Sequence, residues 1–281
     1  MEKPVKKRFV NRVTLTILAI VLVGLGVMSY FVIKSNRDKE SENTVLRVMS
    51  YNLLVDNEDY DWGTPLGERP KGAVEYILRV RPDVIGIQEA SRGWYSAFRE
   101  QLKGEYDFVE PDFGDVKDGN CSGLMYDVKK LRLIANEQIV YSVSNNERMR
   151  LIDVGVFERI SDGKRFAVSS THLDSEYPGD RTAERLVQIG ELIETARRYV
   201  SEYDCPYIST GDMNITPDKP EYEALTDNGV FYDADTAPLP HIVDHIFHTA
   251  GVTPTCVTLG DDETVKGSSD HLPLYADFKL G

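Results

Sequence analysis

Asp204-Cys205-Pro206-Tyr207-Ile208-Ser209-Thr210-Gly211-Asp212-Met213-Asn214 is the stretch that decides how the chain is read. It begins as a short apolar run at Pro206-Tyr207-Ile208, breaks at Gly211, and delivers Asp212 and Asn214 two residues apart. A buried strand ending in Gly-Asp-x-Asn sets an acid and an amide at a sheet edge, and strand alternation points both the same way. Gly, Asp and Asn also make Asx-type turns, which is their commoner use. The stretch gains its meaning from what the rest of the chain places beside it.

Working outward, several other runs end in polar groups. Val45 to Asn52 reads as a strand that stops at Asn52. Val84-Ile85-Gly86-Ile87 reads as a buried strand with Gln88-Glu89 at its end. Leu151 to Arg159 and Lys164 to Ser170 read as a hairpin closed at Ser161-Asp162-Gly163, with Thr171-His172-Leu173-Asp174 ending its second strand. Ile242 to Phe247 reads as a strand in which Ile242, Asp244 and Ile246 share one face, so the acid interrupts an apolar surface and needs a partner. Ser269-Asp270-His271 leads into a last strand, Leu272 to Leu280. Gly123 to Tyr126 and Leu131 to Ile134 read as a strand pair around a turn at 127–130.

Helical spacing predicts helices over Ala73 to Val80, stopped by Arg81-Pro82-Asp83, and over Trp94 to Leu102. The strongest helix runs from Arg181 to Val200, with an apolar stripe of Leu186, Ile189, Ile193, Ala196 and Val200. Arg185 and Gln188 lie off that stripe and read as a solvated face. Strands mixed with helices make this an α/β chain, and polar groups at strand ends are how such scaffolds build sites. The groups so delivered are Asn52, Glu89, His172, Asp212 with Asn214, and Asp270-His271, with Asp244 inside a strand. Glu89, Asp212, Asp270 and the amides are hard oxygen donors, suited to Mg²⁺ or Mn²⁺ rather than zinc. His172 and His271 are then left for acid–base work or phosphate contact. No Gly-x-Ser-x-Gly occurs, which argues against a serine hydrolase.

Seven short motifs occur in order: Ser-Tyr-Asn-Leu (50–53), Pro-Asp-Val-Ile-Gly-Ile-Gln-Glu (82–89), Ser-Thr-His-Leu-Asp (170–174), Arg-Leu-Val-Gln (185–188), Gly-Asp-Met-Asn (211–214), Val-Asp-His-Ile-Phe (243–247) and Ser-Asp-His (269–271). On these motifs the chain resembles the endonuclease/exonuclease/phosphatase family over nearly all of 45–281. The resemblance implies a four-layered α/β sandwich, two packed mixed sheets flanked by helices. It implies Glu89 as the main metal ligand with Asn52 beside it, and Asp270 as a further ligand or a second-metal residue. It implies His271, oriented by Asp244, working on the phosphate and the attacking water. Asp212 and Asn214 would position the nucleophile, and His172 would lie near the leaving group. Tyr126 falls near a phosphate-binding tyrosine of some members, and Arg185 and Gln188 match a helix motif with a structural part. Hydrolysis needs neutralised phosphate oxygens, an in-line water and help for the leaving oxygen, and such a set supplies all three. Either His271 or Asp212 fits the role of general base.

Residues 1–12 form a basic tail, and Val13 to Ile33 is an uncharged run of 21 residues. At about 1.5 Å per residue it spans roughly the 30 Å hydrocarbon core of a bilayer. Lys3, Lys6, Lys7, Arg8 and Arg12 precede it, which keeps the tail cytoplasmic. The run is long for a signal peptide and ends in Phe31-Val32-Ile33 rather than small residues, which favours an uncleaved anchor over a cleaved leader. A polar linker, 34–44, joins it to a catalytic domain at 45–281. The whole chain carries −14, and residues 1–37 hold seven Lys/Arg against one acid, so 38–281 carries about −20. Such a domain repels phosphate backbones at long range, though a bound metal supplies the local positive charge a phosphate ester needs. Three cysteines, Cys121, Cys205 and Cys256, make neither a disulfide framework nor a zinc site; one pair would suffice for a bridge in an exported domain.

Three readings follow. The first is a membrane-anchored, Mg²⁺-dependent phosphoesterase, monomeric, acting outside the cytoplasm on a small or lipid phosphate ester. The second is an extracellular nuclease of the same fold. The third is a binding module that has lost its chemistry, the weakest of the three because every ionisable residue the chemistry needs is present. Loops 54–72, 111–122, 174–182 and 232–241 would carry specificity, with Trp62, Phe113, Tyr177 and Tyr232 as aromatic candidates. The topology has a direct check: protease added to intact cells is expected to remove the domain from Val45 onward. Protection until lysis would reverse the orientation, and a free domain with a new N-terminus near residues 29–37 would establish leader cleavage.

Overall fold

Among the described residues twelve strands sort into two sheets, and the central strands are buried on both faces. The structure is a computed structural model that describes residues 44–56, 65–109, 121–144, 150–176 and 179–281. The expected anchor at 13–33 and the aromatics Trp62, Phe113 and Tyr177 lie outside the described residues. Among the described residues no helix is long and apolar enough to cross a membrane.

The first sheet runs β11(Val252–Leu259), β12(Leu274–Leu280), β1(Val45–Asn52), β2(Val84–Ala90), β4(Cys121–Asp127) and β3(Tyr106–Phe108). The second runs β5(Leu131–Val140), β6(Leu151–Arg159), β7(Arg165–His172), β8(Tyr207–Asp212), β10(Asp244–His248) and β9(Tyr232–Asp233). Both sheets are mixed. β1 pairs parallel with β2 and β7 parallel with β8, whereas β4 and β10 run antiparallel to their neighbours.

Met49, Tyr51, Ile85 and Ile87 turn outward onto the helices α1(Arg69–Val80) and α2(Arg92–Gln101). Val154, Ala167, Tyr207 and Phe247 turn outward onto α3(Thr182–Tyr203) and the short α4(Pro220–Thr226). Between the sheets, Leu46, Val48, Val84 and Leu124 meet Phe157, Phe166, Val168 and Ile208. The result is a four-layered α/β sandwich, helices outside two packed sheets. A last short helix, α5(Glu263–Lys266), leads into Ser269-Asp270-His271.

Local chemistry explains most boundaries. α1 starts at Arg69 with Pro70 in its first turn, four residues before the helical spacing becomes visible. It ends at Val80, with Arg81 as a left-handed cap at φ +55 whose backbone N–H donates to the Ile77 carbonyl at 2.8 Å, and Pro82 cannot continue the helix. Ser91 caps α2 by accepting a hydrogen bond from the Trp94 backbone N–H. Three expectations are corrected. β4 and β5 do not pair: the chain leaves the first sheet at Asp127 and enters the second at Leu131, so the turn at 127–130 is a crossover between layers. In α3, Leu186 is exposed while Arg185 and Gln188 are buried, because the helix turns those two polar side chains toward the loop after β7. β10 also begins at Asp244, leaving Ile242 outside the strand.

The sheets touch most closely beneath the polar strand ends. A side chain on Gly86 would meet Thr210 Oγ1 at 1.8 Å, so only glycine fits there. Beside it, Gln88 crosses the gap: its Nε2 donates to Ser170 Oγ at 3.0 Å, and Ser170 donates to the Ile87 carbonyl at 3.0 Å. Asp153, on β6, is buried in the same layer with neither carboxylate oxygen hydrogen-bonded to a side chain. Burial pushes its pKa well above the usual carboxylate range, a backbone contact at Leu124 opposing this only in part. The folded chain therefore keeps a proton that the unfolded chain loses, and stability falls as pH rises above the ordinary aspartate pKa. Asp153→Asn removes that loss. It is expected to raise Tm by roughly 2–4 °C at about pH 8, equivalent to about 1 kcal/mol, and by less at about pH 4.5; an equal change at both pH values would contradict the assignment.

Candidate active site

Parallel pairing brings strand ends together. Asn52 ends β1 and Glu89 lies at the end of β2; His172 ends β7 directly opposite Asp212, which ends β8. β10 runs the other way, so its first residue, Asp244, is also opposite Asp212. Glu89 is held at φ +55 where the β2–β4 register slips between Ile87 and Ala90. A bulge of this kind re-aims a side chain that regular pleating would bury or turn away.

Asp212 is the hub. It is 3 % exposed, and its Oδ2 accepts from Asn52 Nδ2 at 3.0 Å and faces His172 Nε2 at 3.3 Å and His271 Nε2 at 3.8 Å. Its Oδ1 accepts from the Asn214 backbone N–H at 2.9 Å. Burial, and next the charge of Asp244, push its pKa up to about 7, against the pull of His271 and its hydrogen-bond donors. His271 Nδ1 pairs with Asp244 Oδ2 at 2.7 Å. Burial alone would lower the His271 pKa, but that hydrogen bond and the charges of Asp244, Asp212 and Asp270 lift it to about 10.

Asn214 is placed differently from the strand-alternation expectation. β8 stops at Asp212, and Asn214 sits in a turn at φ +52, with its side-chain Nδ2 donating to the Leu173 carbonyl at 2.9 Å. The Asx-type turn and the site are thus the same structure.

Glu89 and Asp270 lie on the other flank. Glu89 Oε2 accepts from the Val55 backbone N–H at 3.0 Å, and Glu89 Oε1 faces Asn52 Nδ2 at 3.4 Å. Asn52 Oδ1 accepts from the Leu54 backbone N–H at 3.0 Å. Asp270 is exposed, and it and Glu89 both act on the Arg69 guanidinium. Arg69 is a residue the sequence patterns left unnoticed. Its Nη2 donates to the Leu53 and Leu54 carbonyls, its Nε donates to the Ser268 carbonyl at 2.9 Å, and its guanidinium lies 5.0 Å over the Trp94 ring. It ties the chain after Asn52 to the chain before Asp270. An open cleft of about 570 Å³, lined by Leu54, Leu66, Arg69, Lys266, Ser269 and Asp270, begins there.

The donor set fits a divalent cation. Glu89, Asp212, Asp244 and Asp270 gather around two cationic side chains, Arg69 and His271, and the buried Asp244 Oδ1 has no hydrogen-bond partner. Hard oxygens with surplus negative charge suit Mg²⁺ or Mn²⁺. Asp212, Asp244 and His271 also offer atoms within 4.8 Å of one another. There His271 Nδ1 already bonds Asp244 Oδ2.

The family model for the endonuclease/exonuclease/phosphatase family matches residues 49–271, most of the chain. The chain belongs to the endonuclease/exonuclease/phosphatase family. Members are hydrolases acting on phosphoric esters, and that class of activity comes with membership. No curated protein matches in sequence. Among solved structures, an endonuclease/exonuclease/phosphatase from Bacteroides vulgatus matches with TM-score 0.72 and 22% identity, over 85% of this chain and 100% of that one. The mannosyl-6-phosphatase of Bacteroides thetaiotaomicron VPI-5482 matches with TM-score 0.68 and 20% identity, over 83% and 99%. The D. rerio TDP2 complexed with a single-strand DNA product matches with TM-score 0.63 and 19% identity, over 84% and 99%. At these identities the likeness is one of fold.

In this endonuclease/exonuclease/phosphatase chain two residues prove to be more than a solvated helix face. Arg185 is fully buried and donates to Glu221 Oε1 at 2.7 Å and to the Asp174 carbonyl at 3.1 Å. Gln188 accepts from the Asp174 backbone N–H at 3.0 Å. Together they fix the loop that follows His172. Tyr126, by contrast, pairs with Val84 at the far end of β2 and packs at a tilt against Phe157, away from the site. Tyr232 is exposed against His248. Breaking a buried pair leaves a bare charge, so Arg185→Ala and Glu221→Ala are each expected to cost about 3–5 kcal/mol in denaturant unfolding. The double change Arg185→Met with Glu221→Leu should cost far less; equal losses in all three would contradict the pair's role.

Proposed function

We propose that this chain is a divalent-metal-dependent phosphoesterase that hydrolyses phosphodiester or phosphomonoester bonds by in-line attack of water. The observation that carries the reading is Asp212, a buried carboxylate near neutral pKa, faced by His172 and by the Asp244–His271 pair. Glu89, Asp270 and Asn52 are the residues assigned to hold Mg²⁺ or Mn²⁺, which when bound neutralises charge on the phosphate oxygens.

The remaining roles belong to the side chains. A carboxylate with a pKa of about 7 accepts a proton from water more readily than an imidazole that already holds one, so Asp212 is assigned the base and His271 the cationic contact to the phosphate. Asp244 keeps His271 oriented and charged. Asn214 positions the nucleophile, and His172 stands on the leaving-group side. The charge of about −20 over 38–281 favours a small or lipid phosphate ester over a nucleic acid. The uncharged run at 13–33, behind its basic tail, supports a domain anchored to the membrane and facing away from the cytoplasm. A nuclease is the second reading, supported by the fold likeness to an enzyme complexed with single-strand DNA product.

A panel of bis-p-nitrophenyl phosphate, single- and double-stranded DNA, sphingomyelin and inositol phosphates tests both. Turnover should disappear with EDTA and return with Mg²⁺ or Mn²⁺. His271→Ala and Asp212→Ala should each lower kcat by about 10²–10⁴-fold with little change in KM, and Glu89→Gln should raise the Mg²⁺ needed for half-maximal rate. Near-wild-type turnover in both single variants would sink the mechanism; activity on DNA alone, falling steeply with salt, would install the nuclease.

A further inference from the structure

His245 follows Asp244 on β10, and strand alternation turns it to the opposite face, away from Asp212. It is 1 % exposed, with its ring against Tyr222 and Phe247 at 5.3 and 5.5 Å. Its Nε2 lies 3.1 Å from the Ile215 carbonyl oxygen, which can only accept, so that nitrogen carries a proton and donates it. Its Nδ1 lies 3.2 Å from Asp233 Oδ2, and Asp233 is itself fixed by the Tyr222 hydroxyl at 2.7 Å and the Asp235 backbone N–H at 2.9 Å.

Ile215 is the residue after Asn214. Asn tolerates a left-handed backbone better than most residues, yet one fixed geometry there still needs anchors on both sides of the turn. On one side Asn214 is held by Asp212 Oδ1 and the Leu173 carbonyl. On the other side the His245 bond anchors the carbonyl of the Ile215–Thr216 peptide, one residue beyond Asn214, at the far end of the turn. We propose that His245 is a positioning residue: by donating to the Ile215 carbonyl it holds Asn214 left-handed beside Asp212. One dipeptide thereby serves two faces, Asp244 orienting His271 and His245 setting the turn that carries Asn214. The inference rests on the phosphoesterase reading for its kinetic consequence, though not for its geometric one.

His245→Phe keeps the ring packing and removes the donor. Displacements near 1 Å cost on the order of 10²-fold in rate, and a loss of that order in kcat is expected at unchanged KM, with the fold intact by circular dichroism. In an Asn214→Ala background the same change should add nothing, because it acts through Asn214. A folded variant with full kcat, or losses that multiply in the double variant, would overturn the assignment. Should His245→Phe fail to fold, Asp233→Asn loosens the same imidazole and should give a smaller kcat loss, also absorbed by Asn214→Ala; an undiminished loss in that background would overturn it. A crystal structure of whichever variant folds decides the geometry without turnover: Asn214 should leave positive φ, and its retention there would refute the role. A wild-type chain inactive on every phosphoester would defeat the proposed function instead, leaving the φ of Asn214 to decide His245.

Discussion

A carboxylate taken out of water has to be surrounded by donors, and at Asp212 those donors come from both sheets. Asn52 is supplied by the first sheet, His172 and the Asn214 N–H by the second, and His271 by the segment entering β12. Transfer of an ionised carboxylate to an apolar interior without such partners is prohibitive, so the group either finds them or takes a proton. Asp212 does some of each, and its pKa of about 7 reflects that balance. The arrangement holds only if β1, β7, β8 and β10 end at one level. The inter-sheet contacts directly below set that level. Gly86 allows the sheets to meet, and Gln88 bridges them through Ser170.

Around this centre lies a ring of buried polar ties that do no chemistry themselves. Arg69 joins the segment after Asn52 to the segment before Asp270. Arg185 and Gln188 hold the loop after His172. Each tie collects backbone carbonyls or N–H groups that strand ends leave unsatisfied, which explains why charged side chains occupy buried positions. Left-handed backbone at Leu54, Glu89 and Asn214 marks the places where these ties bend the chain away from regular geometry.

Much of this was legible in the sequence. Asn52, Glu89, His172 and Asp212 each close an apolar strand, and an apolar run broken by a polar residue is a local signal. Asp244 stands out as an acid on an apolar strand face and Asp270-His271 as polar residues before the last strand, and the family pattern supplied their roles. Four things were not legible. Arg185 and Gln188 looked solvent-facing because helical periodicity treats every polar residue as a surface residue, and Leu186 was drawn into the stripe in their place. Arg69 was hidden in a polar loop, though Pro70 beside it marks a helix start and could have drawn attention to it. The 127–130 turn looked like a hairpin because sequence proximity does not say which sheet a strand joins. For Asn214 the sequence offers both strand alternation and an Asx-type turn, and it does not decide between them; the turn at positive φ carries the residue. In each case the deciding contact is a tertiary one.

In the proposed mechanism the labour divides: acids on the Glu89–Asp270 flank would hold the ion, while Asp212, Asp244 and His271 would form a proton-bearing unit. Anomalous diffraction from a crystal soaked in Mn²⁺ separates the two directly. A single peak against the Glu89 and Asp270 carboxylates, with the His271–Asp244 hydrogen bond intact, is the predicted result. A peak enclosed by Asp212, Asp244 and His271, with that hydrogen bond broken, would contradict it.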